Sequence, residues 1–469
     1  MKDYDLIVIG GGSAGLTAVE IAIQFGLRTA LIEKDQIGGD CTWSGCIPSK
    51  TLIKTARVAY QMRSANQFGL TNVEPAINFE KVMGHVKQVI QDIYQEESAQ
   101  VLRGKGVDVF LGNAKFVDAH TIIINDKEYR SRKFLLATGA RAVVPDIPGS
   151  SAFTIHTYET IWNLTSLPNH MIIIGAGPVG VELGQAFSRL GSKITILEKK
   201  SRILSREDEW AARLLEDILS NEGITLRLDC DVQQIHQEGS DYEVTFDGKT
   251  IIGDCVLAAT GRKPSIDSLD LAKAGVTYGP QGIEVNRQLR TSRKNIYAAG
   301  DCLGGFQFTH YAGWQAAMAI RNAFLPGSQP GKLDTIARVT FTDPEIAQAG
   351  LTEKQAREKF NNDIEIYQYP MSKVDRAQTE AQKKGFLKII YNNSGTILGV
   401  TIVSANAAEM INEWVLAMDK GIKISEISTA VHVYPTYSLS NMQASANIRI
   451  NQILQGHLGK ILKWLVRKS

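Results

Sequence analysis

A chain of 469 residues with 51 basic and 49 acidic side chains, net charge +2, offers no field that would gather nucleic acid or an acidic partner. Hydrophobic residues make up 44% and charged residues 21%, as in ordinary globular proteins, and no apolar run approaches the length needed to cross a bilayer. The length predicts about three or four domains with ample buried cores.

Met1-Lys2-Asp3-Tyr4-Asp5 runs directly into the apolar stretch Leu6-Ile7-Val8-Ile9, which leaves no room for a cleavable signal and makes the cytoplasm the expected compartment. Residues 5 to 34 read as one strand, turn, helix and strand. Asp5 to Ile9 is a buried strand, Gly10-Gly11-Gly12-Ser13-Ala14-Gly15 the turn, and Leu16 to Phe25 a helix ended by Gly26. Thr29 to Ile32 is the next strand, closing on Glu33. Gly10 permits the tight turn, Gly12 lets backbone approach a pyrophosphate, and Gly15 lets helix and strand pack closely, while Glu33 stands where a carboxylate accepts ribose hydroxyls.

Next comes Gly39-Asp40-Cys41-Thr42-Trp43-Ser44-Gly45-Cys46-Ile47-Pro48-Ser49-Lys50, on which the reading turns. Four residues separate two cysteines, and Pro48 sits at a plausible first helical position, so a short disulfide-capable loop runs straight into a helix. The open amides of a first helical turn favour a thiolate, and Lys50, one turn beyond Cys46, adds a cation. So small a ring constrains the unfolded chain little, and no second Cys/His pair lies at zinc-ligand spacing. Redox chemistry therefore outranks a structural staple or a metal site. The five cysteines, two of them closely spaced, likewise argue against a secreted disulfide scaffold.

Residues 51 to 104 carry helical patterning, as in Val82, Val86, Val89, Ile90 and Ile93, that reads as packing. Residues 106 to 139 look β-rich and end in Ala137-Thr138-Gly139. The first unit is then repeated: Met171 to Ile174, Gly175-Ala176-Gly177-Pro178-Val179-Gly180, a helix through Leu190, and Thr195 to Leu197 before Glu198. Gly175, Gly191 and Glu198 each fall 165 residues after Gly10, Gly26 and Glu33. Two such units imply two dinucleotides, and the cysteine loop beside the first points to flavin there and nicotinamide at the second.

Val256 to Gly261 and Asn295 to Asp301 are two further buried strands ending in small residues and glycine, suited to returning the chain beside a nucleotide. Asp301 is either a ligand for a polyol hydroxyl or a turn aspartate. Pro326 to Gly331 is the clearest linker. Beyond it, Gly385 to Tyr391 and Ile397 to Val403 read as strands and Ala407 to Lys420 as a helix, with no phosphate loop. The tail places Leu458, Ile461, Leu462 and Leu465 at helical spacing among Lys460, Lys463, Arg467 and Lys468. Such a basic amphipathic helix either lies on a membrane surface or, the favoured reading, docks on its own protein.

Taken together, GGDCTWSGCIPSK after a first GxGxxG, a second GAGPVGVELG, the Ala-Ala-Gly-Asp segment and Phe341-Thr342-Asp343-Pro344-Glu345 resemble the pyridine nucleotide-disulfide oxidoreductases. That family includes dihydrolipoamide dehydrogenase, glutathione reductase and mercuric reductase. The resemblance implies an α/β fold with two Rossmann-like dinucleotide-binding domains plus an α+β C-terminal dimerisation domain. It divides the chain into an FAD segment at 1–149, an NAD(P) domain at 150–266, a returning FAD/central segment at 267–336 and an interface domain at 337–469. Cys41 matches the thiol that meets substrate, and Cys46 the thiol lying against the flavin. Lys50 and Glu182 match a Lys–Glu pair near the hydride-accepting atom, Asp301 the acid on the ribityl chain, and Asn113 with Ala114 a contact to the adenine. The same motifs place cofactor contacts at Gly10, Gly12, Ser13, Ala14, Gly15, Glu33, Lys34, Gly39, Asp40, Lys50, Thr138, Gly139, Arg141, Gly175, Gly177, Val179, Gly180, Glu198, Gly261 and Gly300.

The chain departs from the dithiol-oxidising members near its C-terminus. Their His-Pro-Thr segment and following glutamate are here Tyr434-Pro435-Thr436 and Leu439. Tyrosine, with a reference pKa near 10, is a poor proton acceptor at neutral pH, so weak dihydrolipoamide and glutathione activity is expected, restored by Tyr434→His with Leu439→Glu. His432 is either a substitute base or an ordinary interface histidine. A tyrosine at this position resembles mercuric reductases, yet the C-terminal vicinal cysteines of those enzymes are missing. Trp43 is expected to shape the acceptor pocket, and Cys230, Cys255 and Cys302 to be buried structural thiols. Glu198 favours NADH by repelling a 2′-phosphate, although Lys199, Lys200 and Arg202 follow and leave NADPH open.

The resulting expectation is a homodimeric FAD enzyme passing electrons from NADH or NADPH through Cys46 and Cys41 to a small acceptor: a disulfide, a metal ion or a quinone. The alternatives are a dihydrolipoamide dehydrogenase with an altered acid/base site and a non-catalytic flavoprotein sensor recruited by its basic tail.

Overall fold

A computed structural model describes residues 3–150, 153–333, 336–361 and 363–455; the basic tail, Leu458 to Ser469, lies outside the described residues. The described residues form two compact units, the first drawn from those within 3–59, 75–197 and 230–333, the second from those within 60–74, 198–229 and 336–455.

In the first unit β1 (Asp3–Ile9) lies centrally, parallel to β2 (Thr29–Glu33) on one side and to the strand Lys127–Leu136 on the other. Leu6 to Ile9 and all of β2 are buried, which explains why these strands read as continuous apolar runs and not as alternating ones. Asp108–Leu111 and Ile296–Ala298 extend the parallel pairing, and Thr121–Ile124 with Ala114–Phe116 add antiparallel strands. Helix α1 (Ser13–Gln24) packs against the helix Thr309–Phe324 through small side chains, Ala14, Ala18 and Ala22 sharing one core with Ala312, Ala316 and Ala319. Bulkier residues there would hold the two axes apart.

The repeat also folds as its spacing predicts. Strands His170–Ile174, Lys193–Leu197 and Cys255–Ala258 are parallel, and nearly every residue of the helix Pro178–Leu190 is buried. An antiparallel meander, Val232–Glu238, Asp241–Phe246 and Lys249–Gly253, follows.

The second unit holds a five-stranded antiparallel sheet ordered Arg338–Thr340, Glu345–Gly350, Ile397–Ser404, Phe386–Tyr391 and Glu365–Pro370, with the helix Ala407–Lys420 burying Trp414 in its core. One lysine is buried on the opposite face of this sheet from that core, between Leu387 and Ile389 in the chain. Lys388, 1% exposed, puts its Nζ 2.9 Å from Asp208 and 3.0 Å from Glu353, and 5.5 Å from the centroid of the Trp210 ring. A buried cation needs such pairing to be tolerated. No helix among the described residues is long and apolar enough to cross a membrane.

Candidate active site

The first glycine turn is closed by sterics. Gly10 has φ +109°, and a Cβ at Gly15 would collide with the Gly10 carbonyl oxygen, so both positions exclude other residues. Gly12 caps α1 with no side-chain hydrogen bond, leaving the amides of Ser13, Ala14 and Gly15 at an open helix start. The Glu33 carboxylate accepts from the amides of Gly11 at 2.6 Å and Asp35 at 2.8 Å, fixing the acid at the end of β2.

Beside it lies an open cleft lined by Gly10, Glu33, Lys34, Asn113, Ala114, Thr138 and Arg141, all predicted cofactor contacts. Thr138 Oγ1 is buried there without a hydrogen-bond partner, and Arg141 pairs with Asp267 at 2.6 Å on the rim. An adenine dinucleotide fits these residues: a cradle without side chains, open amides for phosphate, an acid for ribose and an unsatisfied hydroxyl.

The cysteine segment is welded to this turn. A Cβ at Gly39 would stand 2.7 Å from the Gly12 Cα, and the Gly38 amide donates to the Gly11 carbonyl at 2.8 Å. Cys41 lies on a short helix, α2 (Gly39–Trp43), and α3 (Cys46–Arg63) begins at Cys46 itself. The helix thus starts two residues earlier than Pro48 suggested. Pro48 falls in the first turn, whose amides have no intrahelical acceptor, so its missing N–H costs nothing.

Both thiols are free and share a hydrogen bond. That bond from Cys41 pulls the Cys46 thiol down to about 6 against the cost of burial, and Thr309, whose Oγ1 lies 3.4 Å from Cys46 Sγ, and Lys50 pull the same way. Cys41 is pushed up by the same bond and by burial. The pair therefore keeps its proton on Cys41 and its charge on Cys46. Lys50 Nζ is 2.9 Å from Glu182 Oε2, on the helix of the second repeat, where Glu182 is 6% exposed.

At the end of Ile296–Ala298, Gly300 turns with φ +81° and donates to Gln315 Oε1 at 2.9 Å. Asp301 then meets Arg262 at 2.7 Å, its carboxyl pushed up by burial. Arg262 also pairs with Asp40 and donates to the Tyr158 hydroxyl at 3.0 Å. Sequence reasoning missed Arg262, Tyr158, Thr309, Gln315 and Trp162, whose indole donates to the Ser44 carbonyl at 2.8 Å. Only Arg262 carried a signal, as a charge directly after a buried strand and Gly261. Trp43 uses its indole within the fold: Nε1 donates to the Ile37 carbonyl at 2.8 Å and the ring packs 4.9 Å from Tyr94 of α4 (Phe79–Glu97).

The second turn repeats the first. Gly175 has φ +104°, with a hypothetical Cβ 2.6 Å from the Ala259 carbonyl oxygen, and a Cβ at Gly180 would strike the Gly175 oxygen. Gly177 faces open space, Val179 and Gly180 lie in the first helical turn, and Gly261 closes the neighbouring strand with φ +137°. The Gly139 Cα likewise faces open space. Glu198 accepts from the Lys200 amide at 2.9 Å, as Glu33 does from Asp35.

Tyr434 and His432 belong to the second unit. Tyr434 is 66% exposed, and its hydroxyl bonds Asp375, which pushes its pKa up. His432 meets Glu413 Oε1 at 2.9 Å through Nε2 and the Ala430 carbonyl at 2.9 Å through Nδ1. Leu439, the position of the expected orienting acid, is 8% exposed. Cys230, Cys255 and Cys302 are buried as expected, burial pushing the last two up to about 12.

Paired glycine turns around a thiol pair define a dinucleotide-dependent oxidoreductase, and comparison with known proteins narrows the class. Residues 4–316 match the family described as pyridine nucleotide-disulphide oxidoreductase and residues 336–444 its dimerisation domain, so the chain belongs to that family of FAD-dependent enzymes. It is 32% identical to mercuric reductase of Staphylococcus aureus over 92% of this chain and 80% of that one. It is 31% identical to dihydrolipoyl dehydrogenase of Thermus scotoductus over 95% and 97%. Among solved structures, the HOCl-induced flavoprotein disulfide reductase RclA of Escherichia coli superposes with TM-score 0.86 at 30% identity, covering 94% of this chain and 99% of that one.

Proposed function

We propose that this chain is a cytoplasmic, homodimeric, NADH-preferring reductase of mercuric reductase type, in which Cys41 delivers electrons to a small thiol-reactive acceptor. FAD bound along the 1–149 and 267–336 segments supplies the chemistry of taking a hydride from the nicotinamide and yielding an electron pair to sulfur. The 150–266 segment holds the nicotinamide, and 337–469 forms the subunit interface.

The observation that carries the reading is the placement of the two thiols, Cys41 on α2 and Cys46 at the first residue of α3 with Thr309 Oγ1 3.4 Å from its Sγ, in the same unit as both glycine turns. Cys46, at a helix start with Lys50 a turn away, is drawn toward the thiolate, and Cys41, drawn toward the protonated form, is the thiol that meets the acceptor. The Lys50–Glu182 pair, half-buried at the ammonium and buried at the carboxylate, keeps a cation beside Cys46 and leaves the carboxylate paired. Support for NADH comes from Glu198 and from its basic neighbours: Arg202 donates to the carbonyls of Leu204, Ser205 and Glu207, and Lys200 Nζ to Ser205 at 2.8 Å, so loop oxygens already engage the cations that would attract a 2′-phosphate.

Anaerobic titration tests the reading. The enzyme consumes two equivalents of NADH per subunit, one for flavin and one for the disulfide; Cys46→Ser consumes one. A parent enzyme that stops at one equivalent rules the proposal out. The acceptor is then chosen from a panel of Hg(II), Cu(II), lipoamide, glutathione disulfide, quinones and oxygen. Cu(II) belongs there because RclA has been solved as a Cu(II) complex. The His432–Glu413 pair favours a second reading, residual dithiol oxidation with His432 in place of the absent base.

A further inference from the structure

We propose that Arg262 is a positioning residue that sustains the Cys46 thiolate by neutralising Asp40, the carboxylate built into the cysteine turn. Asp40 immediately precedes Cys41 on α2, and its carbonyl closes that turn by accepting from the Ser44 amide at 2.9 Å. The Gly45 amide, next to Cys46, donates to the same carbonyl, so Asp40 stands in the turn between the two thiols, where a bare carboxylate opposes any second negative charge. Arg262 answers it. The guanidinium, 20% exposed, forks between Asp40 and Asp301, whose side chains are 39% and 12% exposed, and is seated by the Tyr158 hydroxyl and ring, its carbon 5.4 Å from the ring centroid. A planar fork suits this double duty.

The charged and titratable groups facing the pair come from several elements. They are Asp40 on α2, Lys50 on α3 with Glu182 behind it, Thr309 on the helix Thr309–Phe324, and each thiol toward the other. His310 follows Thr309 and stacks on Phe308 at 5.5 Å. Around Arg262 stand Asp40, Asp301 and Tyr158, with Glu159 facing the tyrosine. Asp40 raises both cysteine thiols, the direction its charge demands. Because Arg262 also holds Asp301, the proposed ribityl ligand, the same guanidinium ties the flavin-binding acid to the redox turn.

The test is the pH midpoint of the Cys46 thiolate in the reduced holoenzyme, read as ultraviolet thiolate absorbance against Cys46→Ser. Asp40→Asn lowers the midpoint and Arg262→Gln raises it, each by about one pH unit. A residue that merely held the fold would move both variants in the same direction. Midpoints that do not move, or that move together, overturn the inference. Arg262→Lys keeps the charge and stays nearer the parent than Arg262→Gln; an equal displacement of the two also overturns it. If the glutamine variant does not fold, Asp40→Asn alone decides by the sign of its change. The inference rests on the redox reading of the cysteines, but the two fail separately, since NADH stoichiometry tests that reading and the midpoints test the charge pair.

Discussion

Cys46 shows how one residue acquires chemistry from its position. A free cysteine has a reference pKa near 8.5, and here a neighbouring S–H, a hydroxyl and an ammonium outweigh burial to bring it to about 6. The sign is that of a depressed acid: the thiolate is complete well above pH 6 and is lost as pH falls through that value. The thiolate absorbance of the reduced enzyme should therefore vanish with a midpoint near pH 6. Tyr434 is the opposite case, a residue stripped of base function. Its hydroxyl bonds Asp375, which favours the protonated phenol, so Tyr434→His should raise dihydrolipoamide turnover at neutral pH by about tenfold or more. The companion change Leu439→Glu is now the poorer choice, because it would bury a carboxylate at a position that is 8% exposed. Steady-state turnover of the single and double variants separates these effects.

At the scale of elements, the two glycine turns are the same solution used twice, and each can be disabled alone. A Cβ at Gly180 would strike the Gly175 oxygen, forcing the helix Pro178–Leu190 off its strand while leaving the turn at Gly10 untouched. Gly180→Ala should retain FAD absorbance yet raise KM for NADH by about tenfold or more, since the anion-binding helix start would be displaced. Loss of flavin from this variant would contradict the assignment of the two turns. The elements also explain why the cysteine segment is shaped as it is: α2 ends after five residues, Ser44 and Gly45 turn the chain, and α3 restarts at Cys46, so the thiolate receives a fresh set of open amides.

At the scale of the whole molecule, the second unit depends on a buried charge. Lys388 is held by Asp208, 2% exposed, and by Glu353, and Arg338 pairs with Glu207 at 2.7 Å on the neighbouring residue. Asp208→Ala leaves the ammonium short of its buried partner and should cost about 3–5 kcal/mol, seen as a fall in the denaturant midpoint. Asp208→Leu combined with Lys388→Met should cost less than either change alone, because the pair is removed together. Nothing in the sequence marked Lys388. Its partners lie 180 and 35 residues away.

The amino-acid order by itself determined what is local. Both glycine turns, the acids closing their second strands, the presence of a helix after the cysteine pair and the helix Ala407–Lys420 were legible because spacing, turn chemistry and helical period act between near neighbours. The Lys50–Glu182 pair was legible through resemblance and not through spacing. The tertiary structure alone decided that Arg262 would stand between Asp40 and Asp301, that Thr309 would reach Cys46, that Trp43 would lean on Tyr94, and that Lys388 would be buried. Those contacts join segments far apart in sequence, and no periodicity encodes them: which charge meets which is settled only when the sheets close and water leaves.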